Sequence, residues 1–80
     1  MELTTKVLSI IRKDTGYGKP VRPEDRIVED LKIDSLDKLM IINDLEDEFN
    51  ITVADDELQH VRIVQDIIDA VGKKMSIAQD

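Results

Sequence analysis

The sequence predicts an all-α domain, a four-helix bundle of three longer helices and one short one, with a single long loop between the first and second. Three observations predict it. Apolar residues recur at intervals of three and four in separate segments near the two ends and the middle of the chain. The one stretch with strand character, Ile51 to Ala54, has no second strand to pair with. Gly16, Gly18, Pro20 and Pro23 interrupt a single region and leave the rest able to run as helix. At 80 residues the chain holds one domain, residues 1–80, around one small core.

The first helix is carried by Leu3, Val7, Ile10 and Ile11, with Leu8 beside them and Gly16 as a stop. From Asp14 to Asp30 the glycines and prolines favour a long connection, with Val21, Ile27, Val28 and Leu31 as anchors into the core. Asp34 and Ser35 are both good N-cap residues, and the clearest helical pattern starts directly after them at Leu36, Leu39, Ile41, Ile42, Leu45 and Phe49, with Asn50 as a stop. Residues 51–54 read as a connection. Asp55, Asp56 and Glu57 place carboxylates where a helix start favours negative charge, which predicts a short third helix ending near His60. The last helix runs from about Val64 through Ile67, Ile68 and Val71 to Gly72, with Lys73 and Lys74 near its end.

The formal net charge of −7 is unevenly spread. Residues 1–32 hold seven Lys or Arg against six Asp or Glu, and residues 33–80 hold four against twelve. Between Leu39 and Val61 there are seven carboxylates and no Lys or Arg, which projects negative potential from one side. This argues against nucleic acid or an anionic membrane as partner and points to basic protein surfaces. There is no cysteine, the N-terminus does not resemble a signal peptide, and the longest unbroken apolar run is Leu39 to Ile42. A soluble, monomeric, cytoplasmic protein is expected.

Catalysis finds no support. His60 is the only histidine, and no positioned nucleophile or orienting partner accompanies it. The acidic stretches lack the spacing of a calcium loop, and Glu29, Asp30, Asp34 and Asp37 read as a solvated face, so no metal site is expected. Gly16 and Gly18 are not followed by the Lys-Ser or Lys-Thr of a phosphate loop, and Tyr17 between them has no evident role. Ser35 remains. In isolation it would read as a helix cap.

Its context points elsewhere. The run Ile27-Val28-Glu29-Asp30-Leu31-Lys32-Ile33-Asp34-Ser35-Leu36-Asp37, followed by Leu45-Glu46-Asp47-Glu48-Phe49, closely resembles the acyl carrier proteins of fatty acid and polyketide synthesis, and the likeness extends to Val64-Gln65-Asp66-Ile67-Ile68-Asp69-Ala70-Val71. The resemblance implies a carrier and not an enzyme. Ser35 would bear 4′-phosphopantetheine, transferred from coenzyme A by a phosphopantetheinyl transferase, with acyl groups carried as thioesters on its thiol. Partner enzymes that transfer acyl groups or condense them would bring basic patches to Asp34, Asp37, Asp44, Glu46, Asp47 and Glu48, with apolar contact at Leu36 and Leu39. By the same analogy Ile42, Leu45, Phe49, Val61, Ile67 and Ile68 would line a space for the acyl chain.

The chain also departs from the family pattern. Lys32 stands where Gly is usual, Met40 where an acid is common, Asn43 where a small apolar contact is common, Ala54 in place of Pro, and Ile63 in place of a capping Thr. Met40 and Asn43 fall on the docking helix, so these changes imply a particular clientele. A peptidyl or aminoacyl carrier shares the fold but usually has a Gly-Gly-x-Ser context that is missing here. An unmodified helical interaction module is the reading from a different class.

Overall fold

The computed structural model describes residues 3–16 and 18–79, and for Asp55 and residues 76–79 the backbone alone; Tyr17 lies outside the described residues. Three α-helices, α1 (Leu3–Thr15), α2 (Ser35–Phe49) and α3 (Val64–Gln79), are joined by the long loop and by a single 3₁₀ turn, Asp55–Leu58. The short third helix of the expected bundle is this 3₁₀ turn. No strand occurs among the described residues; one antiparallel bridge, Arg26 to Ile63, ties the long loop to the start of α3.

The apolar pattern accounts for the packing. Val7, Ile10 and Ile11 of α1 meet Ile41 and Leu45 of α2 and Val64, Ile67, Ile68 and Val71 of α3. Each such side chain removed from water contributes about 1.5–3 kcal/mol. Ile42 faces a smaller cluster with Val53 and Leu58, bordered by Ile51, Val61 and Ala70. The core is thus a main body plus a satellite under the 3₁₀ turn.

Gly16 ends α1 with φ of 67° and its N–H donated to Arg12 O, a conformation that costs glycine nothing. Asn50 ends α2 in the same left-handed region, with its N–H on Glu46 O. Gly72, by contrast, does not end the last helix. The helix continues to Gln79, and Leu3 Cδ2 lies 3.1 Å from where a Cβ on Gly72 would stand. The Leu3 side chain of α1 thus packs close against α3 at this glycine. Lys74 therefore lies within the helix, and its Nζ pairs at 2.6 Å with Glu57 of the 3₁₀ turn.

The long loop is ordered by its own polar groups. Asp25 is buried; its Oδ2 accepts the Arg22 N–H at 2.9 Å, and its carbonyl accepts the Val64 N–H at 3.0 Å. Val21, Ile27 and Leu31 enter the core as expected, but Val28 is 63% exposed. The turn that buries Ile27 faces its neighbour outward. In place of a capping Thr at the start of the last helix, Asp66 reaches back and accepts the Arg62 and Ile63 N–H groups at 2.9 and 3.3 Å. No helix among the described residues is long and apolar enough to cross a membrane.

Candidate functional site at the start of the second helix

Ser35 is placed by a tight sequence of local constraints. Leu31 and Ile33 are both buried, and the Ile33 N–H returns to Ile27 O at 3.0 Å, so the chain must reverse at Lys32. Lys32 adopts φ of 58°. That left-handed conformation explains why glycine suits the position, and it costs a lysine about 1 kcal/mol. Asp34 follows in extended conformation, and its side chain accepts the Asp37 N–H at 2.8 Å, capping α2. Its carbonyl accepts the Lys38 N–H.

Ser35 is consequently the first residue of the helix, and it is exposed. The N–H groups of Ser35 and Leu36 meet no acceptor among the described residues. A hydroxyl beside two outward N–H groups, at the positive end of a capped helix, is a chemically suitable place for a phosphate ester. A cleft lined by Ser35, Lys38, Leu39 and Ile42 opens next to it, so an attached chain has an apolar surface to follow.

The chain as a whole is similar to known proteins. The family model described as the phosphopantetheine attachment site matches residues 5–71. Acyl carrier proteins from Nitratidesulfovibrio vulgaris and Chlorobium phaeovibrioides are 40% and 36% identical, over 92% and 91% of this chain and 99% and 95% of their own. This chain belongs to the acyl carrier protein family. A solved structure of a Mycobacterium tuberculosis chain assigned as an acyl carrier protein superposes with a TM-score of 0.84 at 25% identity, covering 90% of this chain and 97% of that one. Acyl carrier proteins are carriers, not catalysts, and their prosthetic group is 4′-phosphopantetheine. In general they work with a phosphopantetheinyl transferase and with biosynthetic enzymes. The peptidyl carrier and the unmodified interaction module are not favoured.

The residues of α2 expected to meet partners of this carrier fall on two faces. Leu36, Leu39, Met40, Asn43 and Asp47 share one exposed face, at spacings of three, four, seven and eleven residues from Leu36, with Leu36 67% and Leu39 52% exposed. Four of the other acids are engaged within the chain. Asp34 caps the helix, Glu46 Oε2 accepts the Val53 N–H at 2.8 Å, Glu48 pairs with Lys6 at 2.6 Å, and Asp44 lies 3.4 Å from Lys13. The outward stripe beyond Ser35 is therefore more apolar than the sequence suggests. Charge counting could not reveal that Lys6 and Lys13, some 30 to 40 positions away, stand opposite these acids.

Asp37 and Asp44 also face the last turn of α1. Burial pushes the Asp14 carboxyl up to about 6, helped by its hydrogen bond with Asp44 and by the charges of Asp44 and Asp37, and opposed by Lys13. As a carboxylate, Asp14 would leave its buried Oδ2 without a partner. A proton lets Asp14 donate to Asp44, and that bond, with Lys13 assisting, holds Asp44 below the usual carboxylate range.

Of the six residues expected along an acyl chain, Leu45, Ile67 and Ile68 are buried in the main core and Phe49 packs against it. Ile42 belongs to the satellite cluster, and Val61 borders both. Only Ile42 also lines the cleft at Ser35. Lys38, in that same cleft, was not singled out by sequence; its spacing of three from Ser35 was the available signal. His60 is exposed, and among the described residues no three potential metal ligands are grouped.

Proposed function

We propose that Ser35 carries 4′-phosphopantetheine and that the protein, a single domain over residues 1–80 acting as a cytoplasmic monomer, delivers acyl thioesters to enzymes of fatty acid, polyketide or related biosynthesis. The observation that carries the site is the exposed hydroxyl of Ser35 at the first position of an Asp34-capped helix, beside unpaired N–H groups and an apolar cleft. The hydroxyl attaches the arm, and the thiol that the chain lacks arrives with it.

Partners dock on the α2 face formed by Leu36, Leu39, Met40, Asn43 and Asp47. The apolar residues supply contact, and Asp47 with the outer edges of Asp37, Asp44 and Glu48 attracts basic patches. Two leucines and a methionine next to the attachment point fit a shallow, mobile contact that must release quickly. The acyl chain leaves the cleft past Ile42 toward Val61, with Leu45, Phe49, Ile67 and Ile68 as the deeper walls.

Incubation with coenzyme A and a phosphopantetheinyl transferase, followed by intact-mass measurement, tests the site. One added phosphopantetheine on the wild type and none on Ser35→Ala is expected. An unchanged wild-type mass refutes the assignment, and a gain that survives in Ser35→Ala places the site elsewhere.

A further inference from the structure

Among the residues lining the cleft at Ser35, Lys38 alone is ionisable; the others besides Ser35 itself are Leu39 and Ile42. Lys38 is half-buried, yet its ammonium has no carboxylate within ion-pair distance among the described residues. Arg12, Lys19, Lys32, Arg62 and Lys73 share that lack, but Lys38 is the one cation that lines the cleft. Helical side chains lean toward the N-terminus, and residues three apart share a face, so the Lys38 stem covers the turn that begins with Ser35. An anion on Ser35 would give this ammonium a partner that it otherwise lacks among the described residues.

We propose that Lys38 grips the phosphodiester of the arm on Ser35, as a third donor beside the Ser35 and Leu36 N–H groups, and thereby turns the arm onto the Leu39–Ile42 floor. This rests on the assignment of attachment to Ser35. Lys38 is a positioning residue: it holds one end of the arm and takes no part in acyl transfer. The local charge explains the need for it. Asp34 and Asp37 flank the attachment point with two carboxylates, so a phosphodiester between them gains from a cation within contact distance. Lys32 is also close in sequence but does not line the cleft.

The test compares wild type, Lys38→Gln, Lys38→Arg and Lys32→Gln, each apo and loaded with free-thiol 4′-phosphopantetheine. Intact mass first establishes a single addition at Ser35; failure there removes the attachment assignment and is distinguishable from failure of the grip. The readouts are the phosphorus NMR shift of the diester, the relaxation of the arm's amide protons, and the change in Tm on loading. Lys38→Gln should alter the phosphorus shift, loosen the arm and reduce the Tm gain on loading by about 2–4 °C, with the difference shrinking at high salt. Lys38→Arg should restore all three, and Lys32→Gln should follow wild type. Identical shifts and Tm changes in Lys38→Gln and wild type overturn the proposal. So does an equal effect of Lys32→Gln, which would make it bulk charge.

Discussion

Replacing Asp14 by Asn should change how stability depends on pH more than it changes stability itself. The folded protein holds the Asp14 proton up to about pH 6, against an ordinary value of 3.8. A group whose value is raised on folding stabilises fully below its unfolded value and loses that contribution as pH rises through the folded one. At about 1.36 kcal/mol per unit the displacement sets a ceiling of about 3 kcal/mol. Solvent reaches part of the Asp14–Asp44–Lys13 group, and Asp44 shifts the other way, so about 1 kcal/mol is the expected net effect. For a domain of this size that is a fall in Tm of roughly 4–8 °C between about pH 4.5 and about pH 7.5. The amide introduced by Asp14→Asn donates to Asp44 at every pH, so the variant should escape this part of the fall. Thermal unfolding followed by circular dichroism across that range measures it. Tm curves of wild type and Asp14→Asn that run parallel through pH 6 would refute the argument that Asp14 is the group whose ionisation loosens the α1–α2 contact.

Three further outcomes follow from individual contacts. Asp34→Ala removes the cap on the Asp37 N–H and should cost about 1 kcal/mol in urea unfolding, whereas Asp34→Asn should cost a few tenths at most. Asp66→Ala strips the partner from the Arg62 and Ile63 N–H groups and should cost about 1 kcal/mol at neutral pH; because backbone bonds hold the Asp66 carboxyl low, the wild-type advantage should persist until the pH falls below its ordinary value of 3.8. Gly72→Ala gains about 1 kcal/mol of helix propensity and presses only on the tip of Leu3, a flexible side chain, so a net gain near 0.5 kcal/mol is expected; a loss of stability would mean that Leu3 cannot yield.

Much of the fold is local and therefore legible in the chain. The apolar spacing of α1 and α2, the cap at Asp34, the stops at Gly16 and Asn50 and the exposed start at Ser35 all depend on neighbours within a few positions. The sequence misleads where distant residues decide. Gly72 reads as a stop, but the helix runs through it to Gln79, with Leu3, from the opposite end of the sequence, packed against it. Val28 reads as an anchor because it is apolar; the turn that buries Ile27 cannot bury both. The site divides in the same way. Ser35 and its helix start could be read from adjacent residues, while the sorting of acids into outward and inward ones depended on Lys6, Lys13 and Asp14 arriving from α1. Lys32 is a departure whose meaning became physical: it occupies a left-handed turn made for glycine.

The position of Glu46 bears on how binding experiments with this carrier are interpreted. Its carbonyl receives the N–H groups of Asn50 and Ile51, and its carboxylate receives that of Val53, so one residue secures the whole chain reversal after α2. A charge-reversal scan would record Glu46→Lys as a severe loss of enzyme recognition, although the damage would be an unravelled corner far from any enzyme. Glu48 and Asp44 carry a milder version of the same confusion, because each is shared with a lysine of α1. Asp47, exposed and with no partner in hydrogen bond or ion pair among the described residues, is the acid on this helix whose replacement reports on the enzyme alone.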